Sequence, residues 1–92
     1  MNIAHPVKYA IVTQAAAATV KSIRGEFYGF HVQSSTAGTI TVRDGGASGT
    51  VIFTKAALTA GEVVTFGGCG IECAVDIHVT VGGTATVTVL YI

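Results

Sequence analysis

The chain ends with "GGTATVTVLYI", residues 82–92, in which threonine alternates with alanine and valine. Because successive side chains of a strand point to opposite faces, the three threonines share one face and the alternate aliphatic residues share the other. Leu90 and Ile92 then place apolar side chains on the threonine face. The stretch predicts a strand with one face in a hydrophobic core and an end that is apolar on both faces.

The same two-residue period runs through much of the chain. "GTITVRD" (38–44) and "IECAVDIHVTV" (71–81) alternate in this way, and about seven such runs are separated by glycine-rich segments. We expect an all-β fold, either a small antiparallel β-sandwich (jelly-roll-like) or a barrel of about seven strands. The predicted core consists of Ile40, Val42, Val64, Phe66, Val75, Ile77, Val79, Val87 and Val89.

Turn residues divide the predicted strands. We expect turns at "SSTAG" (34–38) and at "GG" (82–83), and a connection with a possible helical turn at "KAALTAG" (55–61). "DGGASG" (44–49) begins with Asp-Gly, which favours a hairpin. Within "FYGFHVQ" the alternation puts Phe27 on the face opposite Phe30 and Val32.

The N-terminal residues differ from the rest. Residues 1–18 lack glycine, contain one proline and include four consecutive alanines. They predict an extended arm, with a strand at 7–12, that precedes a β-domain at 19–92.

Charge is scarce throughout the chain. Charged residues make up 11% of the 92 residues, against about 25% in an average soluble protein, and the formal net charge is +0 with a mean hydropathy of +0.64. Such a surface predicts coverage by other subunits. Lysines and arginines are dispersed, which argues against nucleic-acid binding. No stretch resembles an apolar membrane span or an export signal, so we expect no membrane insertion and assembly in a cytoplasm.

The polar residues of the second half suggest little chemistry. Asp76 and His78 lie about 6.6 Å apart on one strand face, and Glu72 extends that face, but a metal site needs at least three ligands. We interpret them as outward polar residues and expect no metal and no cofactor. Cys69 and Cys73 are expected to be free thiols, because no export signal indicates oxidation.

Catalytic signatures are missing from the sequence. No G-x-S-x-G motif occurs, and "RDGGASG" lacks the order of a phosphate-binding loop and precedes a strand rather than a helix. We therefore expect a protein that is not an enzyme.

Residues 29–92 nevertheless resemble a known class of proteins. "GFHVQSSTAGTITVRDGGASGTVIF", the "LTAGE" turn and the closing "GGTATVTVLYI" are similar to small all-β structural proteins of tailed-bacteriophage virions. These include capsid decoration (cement) proteins and minor head or tail proteins. The resemblance implies an oligomeric β-sandwich, often a homotrimer, that binds the major capsid protein or other virion subunits and is located in the virion.

The alternatives to a capsid decoration protein are a head–tail connector, a tail component, or a carbohydrate-binding β-sandwich of the adhesin or lectin type.

The apolar residues of the arm and of the last strand are the candidate contacts with neighbours. The predicted interface residues are Ile3, Val7, Tyr9, Ile11, Val12, Leu90 and Ile92.

Overall fold

A computed structural model describes residues 7–13, 16–66 and 70–92. It confirms the all-β prediction: seven strands form one antiparallel sheet, and the described residues contain no α-helix. The strands are β1 (Lys8–Val12), β2 (Ala16–Lys21), β3 (Gly25–Asp44), β4 (Thr50–Leu58), β5 (Val63–Thr65), β6 (Ile71–Cys73) and β7 (Ile77–Tyr91), and a single 3-10 turn, Gly46–Ser48, joins β3 to β4.

Two long strands, β3 and β7, form the centre of the sheet and pair with each other along most of their length. The outer edge of β7 carries β1 and β2, which run one after the other along it. The outer edge of β3 carries β4, β5 and β6. The sheet is open, which is consistent with a small sandwich rather than a closed barrel.

The length of β3 shows that the sheet bends. A straight strand of 20 residues would span roughly 65 Å, but the longest dimension of the molecule is 42 Å. We infer that the bend lies at the β3–β7 register shift between Thr36 and Thr39, where Ala37 and Gly83 both have positive φ. There Gly83 has a φ of 67°, and a Cβ on it would lie 2.3 Å from the carbonyl oxygen of Ala37. A side chain at this position would therefore force the two strands apart.

The bend brings the two halves of the sheet together. Phe27 and Phe30, from the first half of β3, contact Phe53 of β4, which pairs with the second half. Phe66 completes this group, with its ring centroid 5.3 Å from that of Phe53. All four phenylalanines of the chain thus join the halves.

Most of the predicted core is found. Ile40, Val42, Ile77, Val79, Val87 and Val89 are fully buried, and Val64 and Phe66 pack against them partly buried. Val75 is wrong as a core residue: it is 60% exposed, because it lies in the bend before β7 and not in the strand.

Several predicted boundaries are also wrong. Residues 34–38 and 82–83 are not chain reversals, since β3 and β7 continue through them, and residues 55–58 extend β4. Phe27 is buried on the same side as Phe30 because the register shifts between Phe27 and Gly29. The hairpin expected at 44–49 is confirmed.

The predicted strand at 7–12 is present as β1, and it lies on the chain's own β7. Val12, an expected interface residue, is 2% exposed and belongs to the core of its own chain. Ile3 lies outside the described residues.

Candidate interaction surface

Three strand residues, together with Val7 directly before β1 and Ile92 directly after β7, form an apolar surface that we call the outer patch. Tyr9 lies directly opposite Leu90 in the β1–β7 ladder. Because Val89 is fully buried, its neighbour Leu90 points away from the core. The outer patch consists of Val7, Tyr9, Ile11, Leu90 and Ile92.

The side chains of the outer patch are exposed to different extents. Tyr9 is 68% exposed, Ile11 is 54% exposed and Val7 is 46% exposed, while Leu90 and Ile92 are half-buried. Period-two alternation puts the three N-terminal side chains on one face. The structure therefore brings five of the seven predicted interface residues together, although β1 and the end of β7 are far apart in sequence.

A glycine stands beside Leu90 in the neighbouring strand β3. Gly29 is the β3 partner of Leu90 and contributes no side chain. Its φ of 144° and the 2.0 Å that would separate an added Cβ from the carbonyl oxygen of Val64 both require glycine. Leu90 consequently borders Tyr9 on one side and backbone on the other.

Backbone hydrogen bonds hold the end of the patch in place. Ile92 donates its N–H to the carbonyl oxygen of Glu26 at 2.9 Å and accepts the Glu26 N–H at 2.8 Å. On the same face, Gln33 donates to the hydroxyl of Thr88 at 2.5 Å. The patch is thus presented by strands that are paired on both sides of β7.

Two of the carboxylates considered above as metal ligands form contacts within the chain. Asp76 accepts hydrogen bonds from the backbone N–H groups of Gly45 and Gly46, at 2.9 and 3.0 Å. Glu72 forms an ion pair with Arg24 on the surface. Among the described residues, no three His, Cys, Asp or Glu side chains converge on a possible metal position.

Asp44 makes the reciprocal contact, and sequence reasoning missed it. Its carboxylate accepts the N–H groups of Val75 at 2.8 Å, Ala74 at 2.9 Å and Asp76 at 3.3 Å. These hydrogen bonds, led by that of Val75, hold the pKa of Asp44 below its usual value. The β3–β4 turn and the bend before β7 are therefore fastened to each other. The Asp-Gly pair at 44–45 signalled a turn but not this partner.

His78 is not the outward polar residue that alternation predicted. It is only 8% exposed and lies between Thr19 of β2 and Arg43 of β3. The Thr19 hydroxyl is 3.3 Å from Nδ1, and Nε2 has no hydrogen-bond partner among the described residues. The ring lies beside two neighbouring strands, and within the described ranges it belongs to no group of three metal-ligating side chains.

Cys73 is a free thiol buried in the core. Burial raises its pKa to about 11, and the nearby carboxylates of Asp44, Asp76 and Glu72 add to the effect. A thiol with so high a pKa is a poor nucleophile near neutral pH. Cys69 lies outside the described residues.

Comparison with protein-family models, with curated proteins and with solved structures finds no match to this chain. In the part of the chain that the structure describes, no helix has the length and hydropathy needed to cross a bilayer. The outer patch is therefore the feature on which a functional proposal has to rest.

Proposed function

We propose that this chain is a non-enzymatic structural protein of a phage virion, most concretely a capsid decoration protein that stabilises the head through contacts between subunits. The observation that carries the proposal is the outer patch, presented by paired strands on a chain with only five basic and five acidic residues. The resemblance of residues 29–92 to phage structural proteins supplies the class of partner.

Exposed apolar side chains are a reason to expect a partner. Tyr9, Ile11 and Val7 are each about half exposed or more, and full burial of such a side chain contributes about 1.5–3 kcal/mol. Their contribution on docking would be smaller, because part of each is already buried and association has its own cost. A contact this modest becomes effective when it is repeated over a particle, as in a capsid lattice.

The strands hold the patch in one conformation. The β1 strand pairs with β7 in an uninterrupted register from Lys8 to Val12, so Tyr9 and Ile11 lose little backbone freedom on binding. The expected partner is the major capsid protein or another virion subunit, and the resemblance favours a homotrimer.

Mass spectrometry of purified phage particles tests the proposal. The particles are those of a phage whose genome encodes this chain. We expect the chain in stoichiometric amount, and we expect a reconstruction of the particle to show it on the head with the outer patch against a neighbouring subunit. Particles that lack the chain would refute the proposal.

A variant pair links the patch to attachment. Particles grown with Tyr9→Asp should retain much less of the chain than wild-type particles, because a charge then enters an apolar contact. Val63→Asp is the matched control, since Val63 is 59% exposed on the opposite edge of the sheet. Equal retention of both variants would remove the outer patch from the contact.

Two alternatives predict different results. If the reconstruction shows the chain at the portal or in the tail, the chain is a head–tail connector or a tail component. Tyr9 is the one aromatic side chain that is more than half exposed among the described residues, so a glycan array with wild type and Tyr9→Ala tests the carbohydrate-binding alternative.

A further inference from the structure

We propose that two copies of this chain associate through β1, which pairs with β1 of the second copy in antiparallel orientation about a two-fold axis at Ala10. The proposal does not depend on the virion function, because it rests on the edges of the sheet. Because a cyclic trimer has no two-fold axis, this contact is a separate association and not an interface of the homotrimer that the resemblance implies.

Five strands lie at the edges of the sheet, and four of them carry features that hinder pairing with another chain. The β2 ladder has a register shift between Thr19 and Lys21, and the β4 ladder has two shifts. The β5 and β6 strands have only three residues each. Bulges and very short strands are the usual means by which proteins keep sheet edges from pairing.

The β1 strand has neither feature. Its five residues pair with β7 in continuous register, and no strand of the described residues covers its other edge. Within the described ranges, its backbone groups on that side have no strand partner, and such groups can pair with another strand. Lys8 is its only charged residue.

The sequence of β1 is complementary to itself in antiparallel register. With Ala10 opposite Ala10 of the second copy, Tyr9 lies opposite Ile11 of the other strand, and this happens twice because of the two-fold axis. Aromatic residues opposite β-branched residues form favourable cross-strand pairs. Lys8 lies opposite Val12 in this register, so the two lysines do not face each other.

A second copy is the expected occupant because its β1 presents the same apolar residues in a self-complementary register. Tyr9, Ile11 and their symmetry mates join into one apolar surface with Leu90 at each end. Five residue pairs bury less than the roughly 800 Å² per partner of a stable complex. We therefore expect a weak, concentration-dependent dimer.

Sedimentation equilibrium of the full chain, from low micromolar to near-millimolar concentration, tests the proposal. We expect a reversible monomer–dimer equilibrium. Tyr9→Lys and Ile11→Glu should each raise the dissociation constant about tenfold, since each removes two symmetric cross-strand pairs. Both positions are more than half exposed, and circular dichroism verifies that the variants remain folded.

Mixing the two variants tests the register itself. In an equimolar mixture, the lysine at position 9 of one copy lies opposite the glutamate at position 11 of the other, so the heterodimer should be tighter than either homodimer. Val63→Glu on β5 is the control and should leave the dissociation constant unchanged. A chain that stays monomeric, a dimer or trimer insensitive to both β1 variants, or a mixture without rescue would each overturn the proposal.

Discussion

Replacing Val89 by aspartate tests the packing of the sheet most directly. Val89 is fully buried and lies between Ala10 of β1 and Phe30 of β3 in the two ladders of β7. Nothing in the core cluster around it can pair with a carboxylate, because that cluster is apolar. The substitution therefore buries a charge without a partner near the end of β7, where the strand is paired on both sides.

The magnitude follows from burial. Leaving an unpaired charge in the core costs about 3–5 kcal/mol, and the lost apolar contact of valine adds about 1.5–3 kcal/mol. A chain of this length is stable by roughly 5–14 kcal/mol. We expect Val89→Asp to abolish cooperative folding or to leave only a small part of the stability.

Urea denaturation followed by circular dichroism measures this. Val89→Ala should lose about 1–3 kcal/mol, as expected for two missing buried carbons. Thr84→Asp is the control on the same strand, because Thr84 is exposed, and its midpoint should change little. A Val89→Asp protein that is soluble and unfolds cooperatively within about 1 kcal/mol of wild type would show that this strand does not pack as described.

Three further predictions concern the turns and the thiol. Asp44→Asn should lower stability near neutral pH and weaken the loss of stability in acid. The pKa of Asp44 is lowered in the folded state, so its contribution to stability is present above the unfolded pKa and declines as the pH falls through the folded pKa. Thermal melts of both proteins from pH 7 to pH 2 measure the difference. Gly83→Ala should cost about 2–4 kcal/mol of stability, and Gly61→Ala only about 1 kcal/mol. Both glycines have positive φ, but only a Cβ at position 83 would meet backbone atoms. Equal urea midpoints for the two variants would contradict this. In a Cys69→Ser background, Cys73 should resist thiol reagents until the chain unfolds, and rapid labelling of the native protein would count against its burial. Because the pKa of Cys73 is raised from 9.0 to about 11 in the folded state, stability should also fall as the pH rises through that interval.

Much of the core could be predicted from the sequence. Ile40 and Val42 in "GTITV", and Val87 and Val89 in "TATVTV", were identified because the period of two depends only on local backbone geometry. The all-β character of the described residues followed from the same pattern and from the glycine-rich segments.

Strand continuity could not be predicted in this way. Serine and glycine at 34–38 and 82–83 fit a chain reversal as well as a bulge within a long strand. The neighbouring strand decides between them: β3 and β7 continue because each pairs with the other on both sides of the bend. The same kind of register shift places Phe27 on the core side, against the simple alternation.

For the outer patch too, the sequence determined some features and the tertiary structure determined others. The sequence by itself determined that the last strand ends with apolar residues on both faces and that residues 7–12 are apolar and strand-forming. Only the tertiary structure decided that Tyr9 lies beside Leu90, that Val12 turns into the core and that Asp44 fastens the bend at Val75. Side-chain alternation is a local property, whereas pairing between residues far apart in the chain is selected by how the whole sheet buries its apolar face.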